Sequence, residues 1–368
     1  MRGVAADCLA TMDPEDAAQP LVGMLADPDS AVQISAATAL GRVGRPALAA
    51  VASALEQPAT ESGALLAFEQ LPIDGEADRV RRYAEESIHN ALDDHELASR
   101  LTVDSDERRL LLRDALARSA RQHALNAIRA VAILSSDHSA LSQAVPNLEA
   151  GDALQRAAAL ELIDSSKDAT ALRPLVALWE PSREVNRTST DSIVEFRDHP
   201  DPWVRECAEF AMSPKRGEHP MAKTLPMLDV MERVLFLRKV PIFDGLPPED
   251  LKSVAAVAEE AVHSDGDIIA AEGEAGTEMH IIVSGTVAVV VDGREVARPG
   301  EGDVVGEMAI IADEPRMATL VASGTVRLLT IGQRQFARIL RERPEVSLGV
   351  MRVLARRLTD CESSPSLT

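Results

Sequence analysis

Over the first 212 residues apolar positions recur in steps of four; beyond residue 265 they recur in steps of two. The first rhythm is carried by triplets of small or apolar residues: Met1/Ala5/Leu9, Val32/Ala36/Leu40, Val80/Ala84/Ile88, Leu154/Ala158/Leu162 and Val204/Ala208/Met212. Residues four and eight apart share one face of an α-helix, so each triplet predicts a helix with that face in the core. Asp27-Pro28-Asp29, Asp152 and Asp201-Pro202 stand ahead of three of these helices, where a carboxylate can cap the free amides of the first turn. A second apolar helix is expected after the better copies, over residues 47–55 behind Pro46 and over 172–179. Turn, helix, turn, helix at intervals of 31 to about 70 residues predicts an α-solenoid with insertions over residues 1–212.

A break follows. Residues 213–220 hold two prolines, a glycine and mixed charge with no period, and a linker is expected over 213–226. A helix is then expected from Met227 through Met231 and Val234 to Leu237. From Gly266 onward short alternating strands are punctuated by glycine-bearing turns at Gly266, Gly273, Gly276, Gly285, Gly293, Gly300 and Gly302. Turn signals at that density predict a β-roll or jelly-roll. Helical periodicity returns over residues 336–340 and 346–358, the last opened by Pro344. The fold class expected is a multidomain α + β chain: a solenoid, then a β-roll with flanking helices over 227–362, then a disordered tail over 363–368.

Composition narrows the function. Aromatics are only 2 %, a balance that suits close-packed small-residue helices. The formal net charge of -21 argues against a nucleic-acid platform, since a phosphate backbone demands Lys/Arg patches. Cys8, Cys207 and Cys361 lie far apart, so neither a disulfide scaffold nor a zinc site is expected, and a reducing compartment is the default. The eight histidines show no metal-ligand spacing. The start lacks the apolar stretch of a signal peptide, and the longest apolar run, 281–291, is interrupted at Ser284-Gly285-Thr286 and too short to span a bilayer. A soluble chain is expected. Trp203 reads as solenoid core. Met1 already occupies a core position of its helix, and two readings stay open: a frayed first helix, or a chain that is the C-terminal piece of something longer or docks its open end on a partner.

The candidate chemistry is concentrated in Gly306-Glu307-Met308-Ala309 and Pro315-Arg316-Met317-Ala318-Thr319. A carboxylate and a guanidinium stand nine residues apart between strand-like runs. A sugar phosphate needs both, because the Glu can accept from a ribose hydroxyl and the Arg can pair with phosphate through a planar fork. The bland readings are a surface ion pair for Arg316 and a solvated turn for Glu307. The place of Arg316 between Pro315 and Met317-Ala318-Thr319 favours a ligand role over the first, and the place of Glu307 between Gly306 and the apolar run Met308-Ala309-Ile310-Ile311 favours a pocket over the second.

At these residues the sequence resembles the phosphate-binding cassette of cyclic nucleotide-binding domains, the family of catabolite activators, cyclic-nucleotide-dependent kinase regulators and gated channels. Residues 241–251, Pro-Ile-Phe-Asp-Gly-Leu-Pro-Pro-Glu-Asp-Leu, resemble the opening of such domains. In the first half, residues 26–32 and 199–205 resemble HEAT-repeat openings, with Asp-Pro turns before a helix start. The resemblance implies that Glu307 takes the ribose 2′-hydroxyl, that Arg316 takes the cyclic phosphate, and that backbone amides near Ala309 and Met317 complete the cradle. Gly306 and Ala318 then serve as steric requirements and Met308 lines the cassette. It also implies an apolar lid over the base from Leu354 and Leu358, against the plain reading of these as helix-packing residues. Two positions depart from the family pattern. Val305 stands where many members carry phenylalanine, and Met317 stands where cyclic-GMP-preferring members tend to have threonine, which tilts the expected ligand toward cyclic AMP over cyclic GMP.

The function expected is a non-enzymatic regulatory module, a cyclic-nucleotide sensor joined to a helical arm that binds a protein partner. No catalytic residue, metal, cofactor or nucleic-acid partner is expected. The domain order resembles the cytosolic C-terminal portion of bacterial nucleotide-translocase-like transporters, which implies a cytoplasmic chain at the inner face of a membrane. The alternative is a HEAT-repeat scaffold whose β-roll is vestigial and binds no ligand. A catabolite-activator-type transcription factor is rejected, because too few residues follow the last helix for a helix-turn-helix.

Overall fold

Asp29 caps the third helix of the chain: its side chain accepts from the amide of Ala31 at 3.0 Å. Asp152 does the same at Leu154, and Asp201 at Trp203, so all three carboxylates sit where free first-turn amides need an acceptor. The computed structural model describes residues 2–9, 13–27, 29–73, 75–102, 106–136, 138–149, 152–179, 193–214, 227–342 and 344–363. The chain divides into two units, Met1–Ala211 and Met212–Thr368. The linker expected over 213–226 falls outside the described residues except at Ser213 and Pro214. The tail expected over 363–368 likewise falls outside them, except that Ser363 ends the last helix.

The first unit is helical throughout its described residues. Its helices are α1 (Arg2–Leu9), α2 (Pro14–Gly23), α3 (Ser30–Val43), α4 (Leu48–Ala54), α5 (Glu61–Phe68), α6 (Ala77–Arg100), α7 (Glu107–Leu134), α8 (His138–Glu149), α9 (Ala153–Ser165), α10 (Ala169–Val176) and α11 (Pro202–Met212). One core joins Ala17, Leu21, Leu25, Ala36, Leu40, Val51, Leu65, Phe68 and Val80, and a second joins Ala120, Ala124, Ile128, Leu141, Ala159, Ile163 and Leu172. Alanine occupies so many of these positions that helices approach closely without aromatic fillers, which accounts for the low aromatic content.

The triplets place the core face correctly in α3, α6 and α11, where Val32, Ala36, Leu40, Val80, Ala84, Val204 and Ala208 are buried. Two triplets need correction. In α1 it is Ala6 that is buried, while Ala5 is exposed. In α9 Leu154 is 79 % exposed and Ala158 is exposed, and the core face is Ala159 and Ile163. An alanine-rich helix offers a spacing-of-four stripe on adjacent faces, and packing against α8 selects the other one. Trp203 is half-buried. Near the end of this unit His199 Nδ1 accepts from the Asp201 amide at 3.1 Å, so Nε2 carries the proton and donates to Asp94 of α6 at 2.8 Å. Both side chains are buried, and the contact pins the start of α11 to α6.

The second unit opens with α12 (Val230–Leu237), set by a capping box in which Asp229 and Glu232 each accept from the other's amide. A single 3-10 turn (Pro241–Phe243) and α13 (Pro248–Val257) lead into strands β1 (Glu259–His263), β2 (Ile268–Ala270), β3 (Glu278–Val291), β4 (Arg294–Ala297) and β5 (Val304–Val305). Then come α14 (Glu307–Ala312), β6 (Thr319–Gly332), α15 (Gln333–Glu342) and α16 (Pro344–Ser363). The sheet is antiparallel in the order β1-β6-β3-β4, with β2 on β6 and β5 on β3.

The expectation of uniformly short strands from Gly266 onward is corrected here. β1 begins at Glu259, and β3 and β6 each run for 14 residues. Ser284-Gly285 is a bulge inside β3, where the register against β6 shifts, and not a turn between strands. Gly285 has φ +87, and a Cβ there would lie 2.5 Å from the Thr325 carbonyl oxygen, so only glycine lets the two long strands stay paired. The interior of the roll is built from Ala270, Ile282, Val287, Val305, Leu320, Ala322, Val326 and Leu328.

Candidate functional site

The cassette residues fold as a hinge between sheet and helix. β5 ends at Val305, which is buried, and Gly306 then turns the chain with φ 78 and ψ 2. That left-handed conformation favours glycine, and a Cβ would also run into the Arg316 guanidinium. Glu307 begins α14 and is 1 % exposed, so the carboxylate predicted to enter a site is buried. Ala309 is buried at 4 % exposure and packs against Gly276, where any side chain would strike its Cβ. The helix stops at Asp313, left-handed with φ 56, and the Glu314 amide returns to the Ala309 carbonyl.

Arg316 is fixed at both ends. Its backbone amide donates to the Glu274 carbonyl at 2.8 Å, and its carbonyl accepts from the Gly273 amide at 2.8 Å. Its Nη1 donates to the Gly306 carbonyl at 3.0 Å, so the guanidinium spans the cassette from one end to the other. The residue is 7 % exposed. Burial pulls the guanidinium below its ordinary pKa, and the carboxylates of Glu278, Glu274 and Glu307 act against that. Thr319 Oγ1 accepts from the Glu272 amide at 3.1 Å and holds the 271–276 loop beside the cassette.

The structure brings Gly306 and Arg316 into contact, sets Glu307 close enough for its charge to act on the guanidinium, and packs Ala309 on Gly276. Met308 and Met317 are adjacent in the same segment with exposed side chains, at 47 % and 60 %, and Ala318 is half-buried. Leu354 is half-buried on α16, which packs against the Pro241–Phe243 turn, and the side chain of Leu358 lies outside the described residues. Sequence reasoning passed over Glu274 and Glu278, whose charges act on Arg316, and His280, which sits on the inner face of β3. His280 could have been noticed as the lone ionisable residue in the apolar stretch 279–283. Cavities of about 360 Å³ beside Tyr83 and about 230 Å³ beside Arg352 share no residue with the cassette, whose case rests on its chemistry.

Comparisons with known proteins bear on the two halves of the chain separately. A family model of the cyclic nucleotide-binding domain matches residues 261–343, and one of HEAT repeats matches residues 1–89. The chain thus carries HEAT repeats in a helical N-terminal region, followed by an antiparallel cyclic nucleotide-binding domain with flanking helices. It is similar to the cAMP-dependent protein kinase regulatory subunit of Hypocrea atroviridis, 32 % identical over 105 residues that make up 28 % of this chain and 23 % of that one. The regulatory subunit of Blastocladiella emersonii is 33 % identical over 114 residues, 28 % of this chain and 27 % of that one. The chain spans about a quarter of the length of these relatives. Among solved structures, the Thermus thermophilus catabolite activator protein is 28 % identical with a TM-score of 0.32, covering 33 % of this chain and 60 % of that one.

Proposed function

We propose that this protein is a non-enzymatic regulatory module in which the β-roll senses cyclic AMP and the helical repeats engage a protein partner. The observation that carries the reading is the burial of both Glu307 and Arg316 in one glycine-hinged cassette, with Arg316 Nη1 held by the Gly306 carbonyl. A buried guanidinium braced by a backbone carbonyl is pre-organised for a singly charged cyclic phosphate, and a buried carboxylate for a ribose hydroxyl. Gly306, Met308, Ala309, Met317 and Ala318 form the rest of the contact segment, with backbone amides near Ala309 and Met317 directed to the phosphate. Matches to cAMP-dependent kinase regulatory subunits support the ligand class.

Ligand binding shifts the equilibrium between two arrangements of the roll by the difference in its affinity for them. The helical arm passes that shift to its partner. In its most specific form the module is the regulatory part of a membrane transporter and works in the cytoplasm at the membrane face. That context is supported by domain order alone. Among the described residues no helix is long and apolar enough to cross a membrane.

Calorimetric titration of the full chain with cyclic AMP tests the reading. Glu307→Ala is expected to weaken binding by ~1.5–3 kcal/mol, the worth of a hydrogen bond to a charged acceptor, or roughly ten- to a hundred-and-fifty-fold. Unchanged affinity in that variant would remove Glu307 from the site. For specificity, Met317 offers no hydroxyl to guanine, so cyclic AMP is expected to bind at least as tightly as cyclic GMP, and Met317→Thr to gain on cyclic GMP. Competition against a fluorescent analogue measures both. A tenfold preference of the unaltered chain for cyclic GMP, ~1.4 kcal/mol, would contradict the assignment.

A further inference from the structure

His280 stands in β3 opposite Val305 of β5 on one side and Thr330 of β6 on the other. Residues directly opposed or two apart in a strand share a face, so His280 points the same way as Ile282, Val305 and Leu328, into the roll. It is 5 % exposed. Nδ1 lies 3.0 Å from Thr330 Oγ1, and Nε2 is buried with no hydrogen-bond partner among the described residues. A buried imidazole nitrogen without a partner is costly, and such groups in native proteins ask for an explanation. Val305, its strand partner, is followed by Gly306, whose carbonyl holds Arg316.

We propose that His280 is a further recognition residue of this site, taking up a proton as an anionic phosphodiester binds beside Arg316, so that ligand binding and proton uptake are coupled. The inference rests on the cyclic-nucleotide reading. In the free protein burial, and then the positive charges of Arg316 and His263, hold the imidazole down to about 4, so it is neutral near pH 7. A phosphate anion on Arg316 cancels the second of these effects and supplies the negative charge that a buried imidazolium needs. The proton comes from solvent and leaves when the ligand leaves.

The sign follows. Binding raises the pKa of His280, so affinity rises as pH falls through the bound-state value and levels off below the free-state value of about 4. The groups around it are Arg316, His263 on β1, Thr330 on β6, Glu307 on α14, and Glu274 and Glu278 through their action on Arg316. Protonating Glu307 would weaken ribose binding and so act in the opposite direction. Protonating Glu274 or Glu278 would act in the same direction, and the variants must separate these from His280.

Cyclic AMP is titrated into the full chain between about pH 7.5 and about pH 5.5, in wild type, His280→Phe and Glu278→Gln. In wild type and Glu278→Gln a roughly three- to tenfold gain in affinity is expected on lowering the pH, for a bound-state pKa of about 6 to 6.5. Net proton uptake of about half a proton or more is expected near pH 6, read from binding heats in buffers of different ionisation enthalpy. His280→Phe should still bind near pH 7.5 and lose both the gain and the uptake. A gain that survives unchanged in His280→Phe overturns the proposal, as does binding in wild type with no uptake. Absence of cyclic AMP binding near pH 7.5 in the wild type would instead overturn the cyclic-nucleotide reading itself, and this inference with it.

Discussion

Replacing Arg316 with alanine is expected to raise the dissociation constant for cyclic AMP by roughly thirty- to several-thousand-fold. Arg316 is 7 % exposed and is the cation of the cassette, so a cyclic phosphate bound there would be desolvated and would depend on it. Truncating one side of a desolvated charged pair costs ~2–5 kcal/mol, much of it the penalty of leaving the other charge uncompensated. The same substitution removes the bond from Nη1 to the Gly306 carbonyl, worth ~1.5–3 kcal/mol to the fold as a hydrogen bond of a charged donor. The backbone bonds of residue 316 to Glu274 and Gly273 do not depend on the side chain and should hold the segment in place. Calorimetry reads the ligand loss, and denaturant unfolding of the same sample reads the fold. Equal affinity in Arg316→Ala and wild type would show that the guanidinium is not a ligand for phosphate.

The second large effect concerns the fold that carries the site. Glu260 of β1 has a fully buried carboxylate, with Arg327 Nε of β6 at 3.0 Å, Arg233 Nη2 of α12 at 3.8 Å and the Leu228 amide donating to Oε2 at 2.7 Å. Arg233 also donates to the carbonyls of Ala258 and Ala255. One carboxylate thus ties the entry helix of the second unit to two strands of its sheet. Glu260→Ala leaves two guanidinium groups without their shared counter-charge, and removing one partner of a buried ionic cluster costs ~3–5 kcal/mol. Glu260→Gln keeps an acceptor for the Leu228 amide and should cost less. Hydrogen exchange along β1 and β6 in the full chain would show the loss directly. Protection within ~0.5 kcal/mol of wild type, the range of an ordinary surface substitution, would mean that the cluster is incidental.

These two residues mark how far the sequence could be read. Arg316 and Glu307 were visible because a cassette compresses carboxylate, guanidinium and small residues into one short segment, and local chemistry of that kind survives without a structure. The capping carboxylates Asp29, Asp152 and Asp201 were visible for the same reason. Glu260 was not, because its partners come from residues 228, 233 and 327, and no local pattern links them. The core face of α9 is ambiguous in sequence because Leu154/Ala158 and Ala159/Ile163 satisfy the same spacing, and only tertiary packing chooses between them. Gly285 reads as a turn in sequence because glycine marks turns and bulges alike, and the distinction lies in the partner strand. Helix α7 holds none of the expected triplets, although Leu112, Leu116, Ala120, Ala124, Ile128 and Ala132 keep the step of four and are buried; α6 is marked only at its start, by Val80, Ala84 and Ile88.

Among the described residues no group of three or more His, Cys, Asp or Glu is placed to hold a metal ion. Cys8 is exposed and Cys207 buried. The chemistry proposed for this chain is recognition by a carboxylate, a guanidinium and backbone amides, and its proposed consequence is a shift in population passed to a helical arm. That account depends on the roll holding a ligand at all.

Titration of the full chain with cyclic AMP near neutral pH is the most direct test. The account predicts saturable binding at one site per chain, displaced by a fluorescent analogue and weakened by Arg316→Ala. No binding heat, together with no displacement of the analogue, would contradict it and favour a helical-repeat scaffold whose β-roll has lost its ligand.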